Sequence, residues 1–211
     1  MKYFIPLFFI SMPFFAKAQI GEIPPSGDST TSPWSFAASG YYYILPGLTN
    51  TLTLIGTADY KSIHLEPRYN YEGEHTGSVF AGWKFEAKGK IELTVTPMAG
   101  IVFGDLHGAA PGLELEVAYQ LFDFYSESEY LIDFEDHQTN YFYTWTELGI
   151  SPFHSFRTGI SAQRTRLYQT GLDLQRGVFA EYAFWKLTVG VHYFNPFTTD
   201  YFFITSLNFA L

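Results

Sequence analysis

From Trp34 to Leu211 the chain alternates apolar and polar side chains with a period of two. Trp34, Phe36, Ala38, Gly40, Tyr42 and Ile44 fall on one side of the first segment. Ile63, Leu65, Pro67, Tyr69 and Tyr71 alternate with His64, Glu66, Arg68 and Asn70, and Val79, Ala81, Trp83 and Phe85 lie opposite Lys84 and Glu86. Successive side chains of a strand point to opposite faces, so each segment predicts a strand with one apolar face. The set is Trp34–Ile44, Leu52–Ala58, Ile63–Tyr71, Ser78–Ala87, Ile91–Phe103, Leu113–Tyr119, Phe124–Glu135, Tyr141–Ile150, Phe156–Tyr168, Leu172–Trp185, Leu187–Phe194 and Tyr201–Leu211. That is about twelve strands, or ten if two boundaries merge. A 3.6-residue period is almost absent, so helices are not expected.

The links alternate in length. Those at Asp59-Tyr60-Lys61, Lys88-Gly89-Lys90, Leu121, Pro152 and Lys186 are short. Those at Pro46-Gly47, Gly73-Glu74-His75, Asp105 to Pro111, Asp136 to Asn140, Gln169 to Gly171 and Asn195 to Asp200 are mostly longer and more polar. Pro67 and Pro97 fall inside strand segments and predict bulges or gaps in the ladder, because proline has no N–H to donate.

The last segment places Tyr201, Phe203, Thr205, Leu207, Phe209 and Leu211 on one face, with the alternation running to Leu211. An apolar strand there would be an exposed edge unless it pairs with the first strand, so a closed barrel is expected. This ending resembles the C-terminal strand of Gram-negative outer-membrane β-barrel proteins, which typically finish on alternating aromatics and a terminal Phe. Here the final residue is Leu211, with Phe209 two places earlier. The resemblance implies an all-β fold, a closed antiparallel transmembrane β-barrel over residues 34–211. It implies short turns on the periplasmic side and long loops outside. It further implies an assembly signal at Tyr201, Phe203, Leu207, Phe209 and Leu211, read by the barrel-insertion machinery.

Residues 1–18 form a separate unit. Lys2 gives a charged start, Tyr3 to Phe15 is almost wholly apolar, and Ala16-Lys17-Ala18 is a small-residue cleavage site. This is the pattern of a secretory signal peptide. Pro6 and Pro13 interrupt the run, which is too short for a membrane helix. Residues 19–33, rich in Pro, Gly, Ser and Thr, read as a flexible periplasmic lead-in. Loss of Lys2 and Lys17 leaves 10 of the 12 Lys and Arg against 21 Asp and Glu, a net charge of 10 − 21 = −11. That balance offers no basic stripe for nucleic acid. The 20% aromatic content and the absence of cysteine fit an exported barrel held by its own pairing. The expected location is the outer membrane, with lipid as the main partner.

If the apolar face meets lipid, the other face lines the lumen. It carries His64, Glu66, Arg68, Lys84, Glu86, Glu92, Glu114, Glu116, Glu127, Glu129, Asp133, Glu147, Arg157, Gln163, Glu181 and His192. The reversed register would put each basic side chain into hydrocarbon at about 2–4 kcal/mol apiece. Pairing neighbours through their turns sets Glu114 opposite Glu129, Glu116 opposite Glu127, and Glu129 opposite Glu147. It also sets Glu147 opposite Arg157, Arg157 opposite Glu181, and Glu181 opposite His192. Carboxylates this close require cations between them. Two readings follow: a salt-bridged plug, or an acid-lined path that selects cations or small polar solutes. Arg164 and Arg166 share the lipid-facing parity, as do Ser126, Ser128, Thr144 and Thr146. The hydroxyls are either tolerated singly or form a contact patch in a homo-oligomer.

No cysteine, nucleophile elbow, phosphate loop or zinc-protease motif is present. His75, His107 and His137 fall in predicted outer loops, where isolated histidines ordinarily sit in water, so neither metal nor cofactor is expected. Some outer-membrane barrels are lipid hydrolases with a Ser–His pair on the outer wall. Here His64 and His192 point inward by parity, and His154 beside Ser155 sits in a periplasmic turn. The alternatives to a pore are such an enzyme, or a structural or adhesion barrel acting through its outer loops.

Overall fold

The computed structural model describes residues 33–135, 140–164 and 174–211. The expected signal peptide, almost all of the lead-in, His137 and Arg166 lie outside the described residues. Thirteen strand segments are described. They are β1 (Trp34–Ile44), β2 (Thr51–Tyr60), β3 (Ile63–Tyr69), β4 (Thr76–Trp83), β5 (Phe85–Ala87), β6 (Glu92–Gly104) and β7 (Gly108–Tyr119). The rest are β8 (Phe122–Asp133), β9 (Tyr141–Phe153), β10 (Phe156–Arg164), β11 (Gln175–Phe184), β12 (Leu187–Phe194) and β13 (Phe202–Ala210). Apart from β4 and β5, sequence neighbours pair antiparallel, β4 pairs with β6, and β1 pairs with β13. β5 prolongs β4 beside β6, so the ring is a closed antiparallel barrel of twelve strands.

The closing seam runs from Ala37↔Ala210 to Ile44↔Phe203, and the Leu211 N–H bonds the Phe36 carbonyl at 2.9 Å. Both barrel ends therefore lie at the mouth of the short turns. Four of these turns have two residues each: Lys61-Ser62, Gln120-Leu121, His154-Ser155 and Trp185-Lys186. Lys61, Gln120 and Trp185 adopt left-handed backbone angles without being glycine.

Prolines mark breaks in the ladder, as their missing N–H requires. β2 and β3 lose registered pairing beside Glu66 and Pro67. Trp83 and Lys84, where β4 gives way to β5, lie opposite Pro97 and Thr96. A third gap faces Pro111, between the pairs Ala109↔Ile132 and Gly112↔Glu129. The expected long loop from Asp105 to Pro111 is a correction: β7 begins at Gly108, leaving only residues 105–107. Gly108 to Pro111 resemble a loop in composition but pair regularly with β6.

The apolar face is outside. Val79, Trp83, Ile101, Leu113, Tyr130, Ile160, Val178, Val191 and Leu207 are all exposed. An apolar exterior over a charged interior is the transmembrane arrangement. Ser126 pairs with Thr146 at 3.1 Å and Ser128 with Thr144 at 3.0 Å, so these outward hydroxyls satisfy one another across β8 and β9. Arg164, at the end of β10, donates to the Phe142 carbonyl at 2.5 Å.

Candidate functional site

The lumen is bridged from wall to wall. Towards the long-loop half, inward side chains of alternate positions build an aromatic layer of Tyr41, Tyr43, Tyr71, Tyr141, Tyr143, Trp145 and Phe194. Tyr71 meets Tyr143 edge-on at 4.8 Å, and Trp145 meets Phe194 at 5.5 Å. Tyr141 donates to the Glu72 carbonyl, tying β9 to the β3–β4 loop across the mouth. Phe80, Leu131 and Ile204 are wholly buried inside. Gly100 makes room for Phe80, whose ring would lie 2.6 Å from an added Cβ.

Below this layer Arg68 projects from β3. Its Nε donates to Glu66 Oε1 at 2.5 Å and its Nη1 to Glu129 Oε2 at 2.8 Å. Nη2 lies 2.6 Å from Glu127 Oε1, and Nη1 lies 3.7 Å from Glu72 Oε1. The guanidinium lies between the Tyr71 and Phe80 rings, at 4.3 and 4.1 Å from their centres. Glu127 and Glu129 stand on β8, four places round the ring from β3, so these bonds cross the lumen.

A second arginine centre lies nearer the short turns. Arg157 Nη1 donates to Glu147 Oε2 at 2.7 Å and to Glu181 Oε2 at 2.9 Å. Nε and Nη2 donate to Asp123 Oδ2 at 2.9 and 2.5 Å. The guanidinium stacks on Phe179 at 4.4 Å, and His192 Nε2 reaches Glu147 Oε1 at 2.9 Å. The β9–β10 register shifts between Phe156 and Thr158, so Arg157 sits at a bulge, a feature that re-aims side chains. Gly149 provides the space: an added Cβ would stand 2.6 Å from Asp123 Oδ1 and 2.7 Å from Arg157 Nε.

At the short-turn mouth His64 joins three elements. Its Nδ1 bonds Asp59 Oδ1 at 2.7 Å, and its Nε2 bonds Glu66 Oε2 at 3.2 Å. Lys84 Nζ holds the other Asp59 oxygen at 2.6 Å, and Glu114 Oε2 stands 4.0 Å from His64 Nε2. Tyr125 bonds Glu114 at 3.4 Å and Glu127 at 3.1 Å. A cavity of about 60 Å³ opens beside them, with Ser39, Thr57, Glu86 and Glu116 also on its wall.

The structure thus brings Glu66, Arg68, Glu127 and Glu129 into one cluster, and Glu147, Arg157, Glu181 and His192 into another. Glu114 and Glu116 line the cavity. Several expected cross-strand partners are corrected. Glu114 lies opposite Glu127, Glu116 opposite Tyr125, Glu129 opposite Tyr143 and Glu147 opposite Tyr125. On the other neighbouring strand Glu147 faces Ser161, and Glu181 faces Gly190. Arg157 does lie opposite Glu181. The errors are even-numbered slips, which leave the facing side unchanged. Asp59, Glu72 and Asp123 are site residues that the pattern did not mark, because each sits where a strand meets a turn or loop. The aromatic filling was also unmarked, although Tyr41 and Tyr43 share the parity of Ser39. In the loops, His75 meets Asp105 at 3.3 Å and His107 meets Glu135 at 3.6 Å. Among the described residues neither His64 nor His192 bonds a serine or threonine hydroxyl.

No family model and no curated protein matches the chain. Solved structures do. A KdgM porin superposes with a TM-score of 0.62 at 9% identity, over 83% of this chain and 99% of that one. The KdgM porin in complex with disordered oligogalacturonate gives 0.60 at 9%, over 83% and 99%. A NanC porin gives 0.57 at 10%, over 83% and 100%. The shared property is the fold, that of an outer-membrane porin-type β-barrel.

Proposed function

We propose that the chain is exported under its N-terminal leader and resides in the outer membrane as a narrow porin-type barrel that admits small cations sparingly. The observation that carries this reading is the charge of the lumen. Two arginines face seven carboxylates: Glu66, Glu72, Glu127 and Glu129 around one, Asp123, Glu147 and Glu181 around the other. Asp59, Glu114 and Glu116 add to the surplus, which Lys84 and the histidines offset only in part. Rings of acids select cations, and a polyanion such as oligogalacturonate would be repelled. Assembly through the strand ending at Phe209 and Leu211 belongs to the same proposal.

The wall-to-wall packing favours a second reading, a sealed structural barrel. Arg68 and Glu129 have no exposed side-chain surface. Planar-bilayer recording on the purified barrel separates the two. The pore reading expects a small conductance whose reversal potential in a KCl gradient has the sign of K⁺ preference. Membranes that stay at bare-lipid conductance with the barrel inserted would establish the sealed reading, and anion preference would refute the charge argument. The contacts of His64 and His192 support a barrel that is not a lipid hydrolase, since both rings engage carboxylates inside the lumen.

A further inference from the structure

We propose that His64 Nε2, Glu66 Oε2 and Glu114 Oε2 bind one divalent transition-metal ion of the zinc class beside the short-turn cavity. The three donor atoms lie within 4.8 Å of one another, all on buried residues. Imidazole with carboxylate oxygens is a donor set that such ions accept.

The geometry is near what an ion needs. Donors about 2.0–2.1 Å from a tetrahedral ion stand about 3.3 Å apart. The His64–Glu66 separation of 3.2 Å already meets this. The His64–Glu114 separation of 4.0 Å closes if Glu114 moves by about 0.7 Å, and the Glu66–Glu114 separation, within 4.8 Å, shortens if that movement is towards Glu66 as well. Glu114 is the least anchored of the three, since its bond to Tyr125 is long at 3.4 Å.

Two further features point to a ligand. Asp59 accepts from His64 Nδ1, which fixes the ring and turns Nε2 towards the two glutamates. A carboxylate behind a histidine is the usual support of a metal-ligating imidazole. In addition, Ser39 lines the same cavity, is 5% exposed, and its Oγ has no hydrogen-bond partner among the described residues. The cavity is roomy enough for water, which can complete a coordination shell and give Ser39 a partner. Lys84 is held on Asp59, and Glu86 at the rim is partly exposed, so the cavity is reached from the short-turn mouth.

The incoming ion takes the Nε2 lone pair, while Nδ1 stays on Asp59. Binding is an equilibrium property of the folded barrel and stands whether or not the lumen conducts.

The test is Zn²⁺ titration calorimetry on the full-length, chelator-stripped barrel folded in detergent, with folding checked by heat-modifiable gel mobility. Wild type should bind one Zn²⁺ per barrel. His64→Gln and Glu114→Gln should each weaken binding by at least about tenfold, and Asp59→Asn by about 10–100-fold. Replacing His75, His107 and His137 with Ala should leave the stoichiometry at one. Folded wild type that takes up no Zn²⁺, or affinity unchanged in His64→Gln and Glu114→Gln, would overturn the proposal.

Discussion

Replacing Arg157 with Met isolates the charge of the second arginine centre, because Met retains much of the side-chain length. The guanidinium makes four hydrogen bonds to three carboxylates, all 7% exposed or less. Glu147 Oε2 and Glu181 Oε2 share Nη1 at 2.7 and 2.9 Å, so they stand no farther apart than the sum of those distances, 5.6 Å. Without the cation they repel by about 3 kcal/mol at an effective dielectric constant of about 20. His192 still serves Glu147, but Asp123 loses its donor. Loss of stacking on Phe179 adds about 0.5–2 kcal/mol. Breaking a buried pair by removing one partner typically costs about 3–5 kcal/mol, and that is the expected loss here. Urea unfolding in lipid vesicles, followed by tryptophan fluorescence, gives the value. Arg157→Lys should lose clearly less, since it keeps a charge but not the fork. A Met variant within about 1 kcal/mol of wild type would mean that the carboxylates sit in water, and the account of a bridged lumen would fail.

Two further changes probe the packing and the loop. Gly149→Ala places a methyl group against Asp123 and Arg157, and should cost about 1–3 kcal/mol in the same unfolding assay, although no charge is altered. Glu72, in the β3–β4 loop, has its carboxyl pushed up by burial despite Arg68 and the bond from Ser78. A raised carboxyl favours the folded state while protonated, and that contribution fades as pH climbs from the unfolded value through the folded one. Glu72→Gln should therefore gain on wild type as pH rises from about 4 to 7, with Arg68 keeping its three closer carboxylates. A variant that loses ground over that range would contradict the assignment.

Which residues face inward was legible because a period of two survives every uncertainty about where a strand starts. Val79 and Trp83 had to lie opposite Lys84 and Glu86 whatever the turn did. Register was not legible. The pairing Glu114↔Glu127 depends on a two-residue turn at Gln120-Leu121 that contains no glycine to announce it. Asp123 and Asp59 stand at strand ends, where a polar residue reads as part of a turn. The aromatic layer escaped for another reason: Tyr41 and Tyr42 point to opposite faces, and tyrosine is at home both in lipid interfaces and in a packed lumen. Contacts such as Arg68 to Glu129 join strands distant in sequence, so they exist only once the ring is closed.

The seam between β1 and β13 has the same antiparallel pairing as every other junction, and the barrel's two ends meet at one mouth. Topologically the structure is a cycle, and the position of its opening is set by the order of the gene, not by the ring. A short linker from Leu211 to the start of β1, with new ends cut at Gln120-Leu121, would preserve every strand neighbour described above. Such a permuted chain would keep the lumen and both arginine centres while moving the terminal strand from β13 to β7. It would thereby change which strand ends the chain while leaving every pairing around the ring as it is.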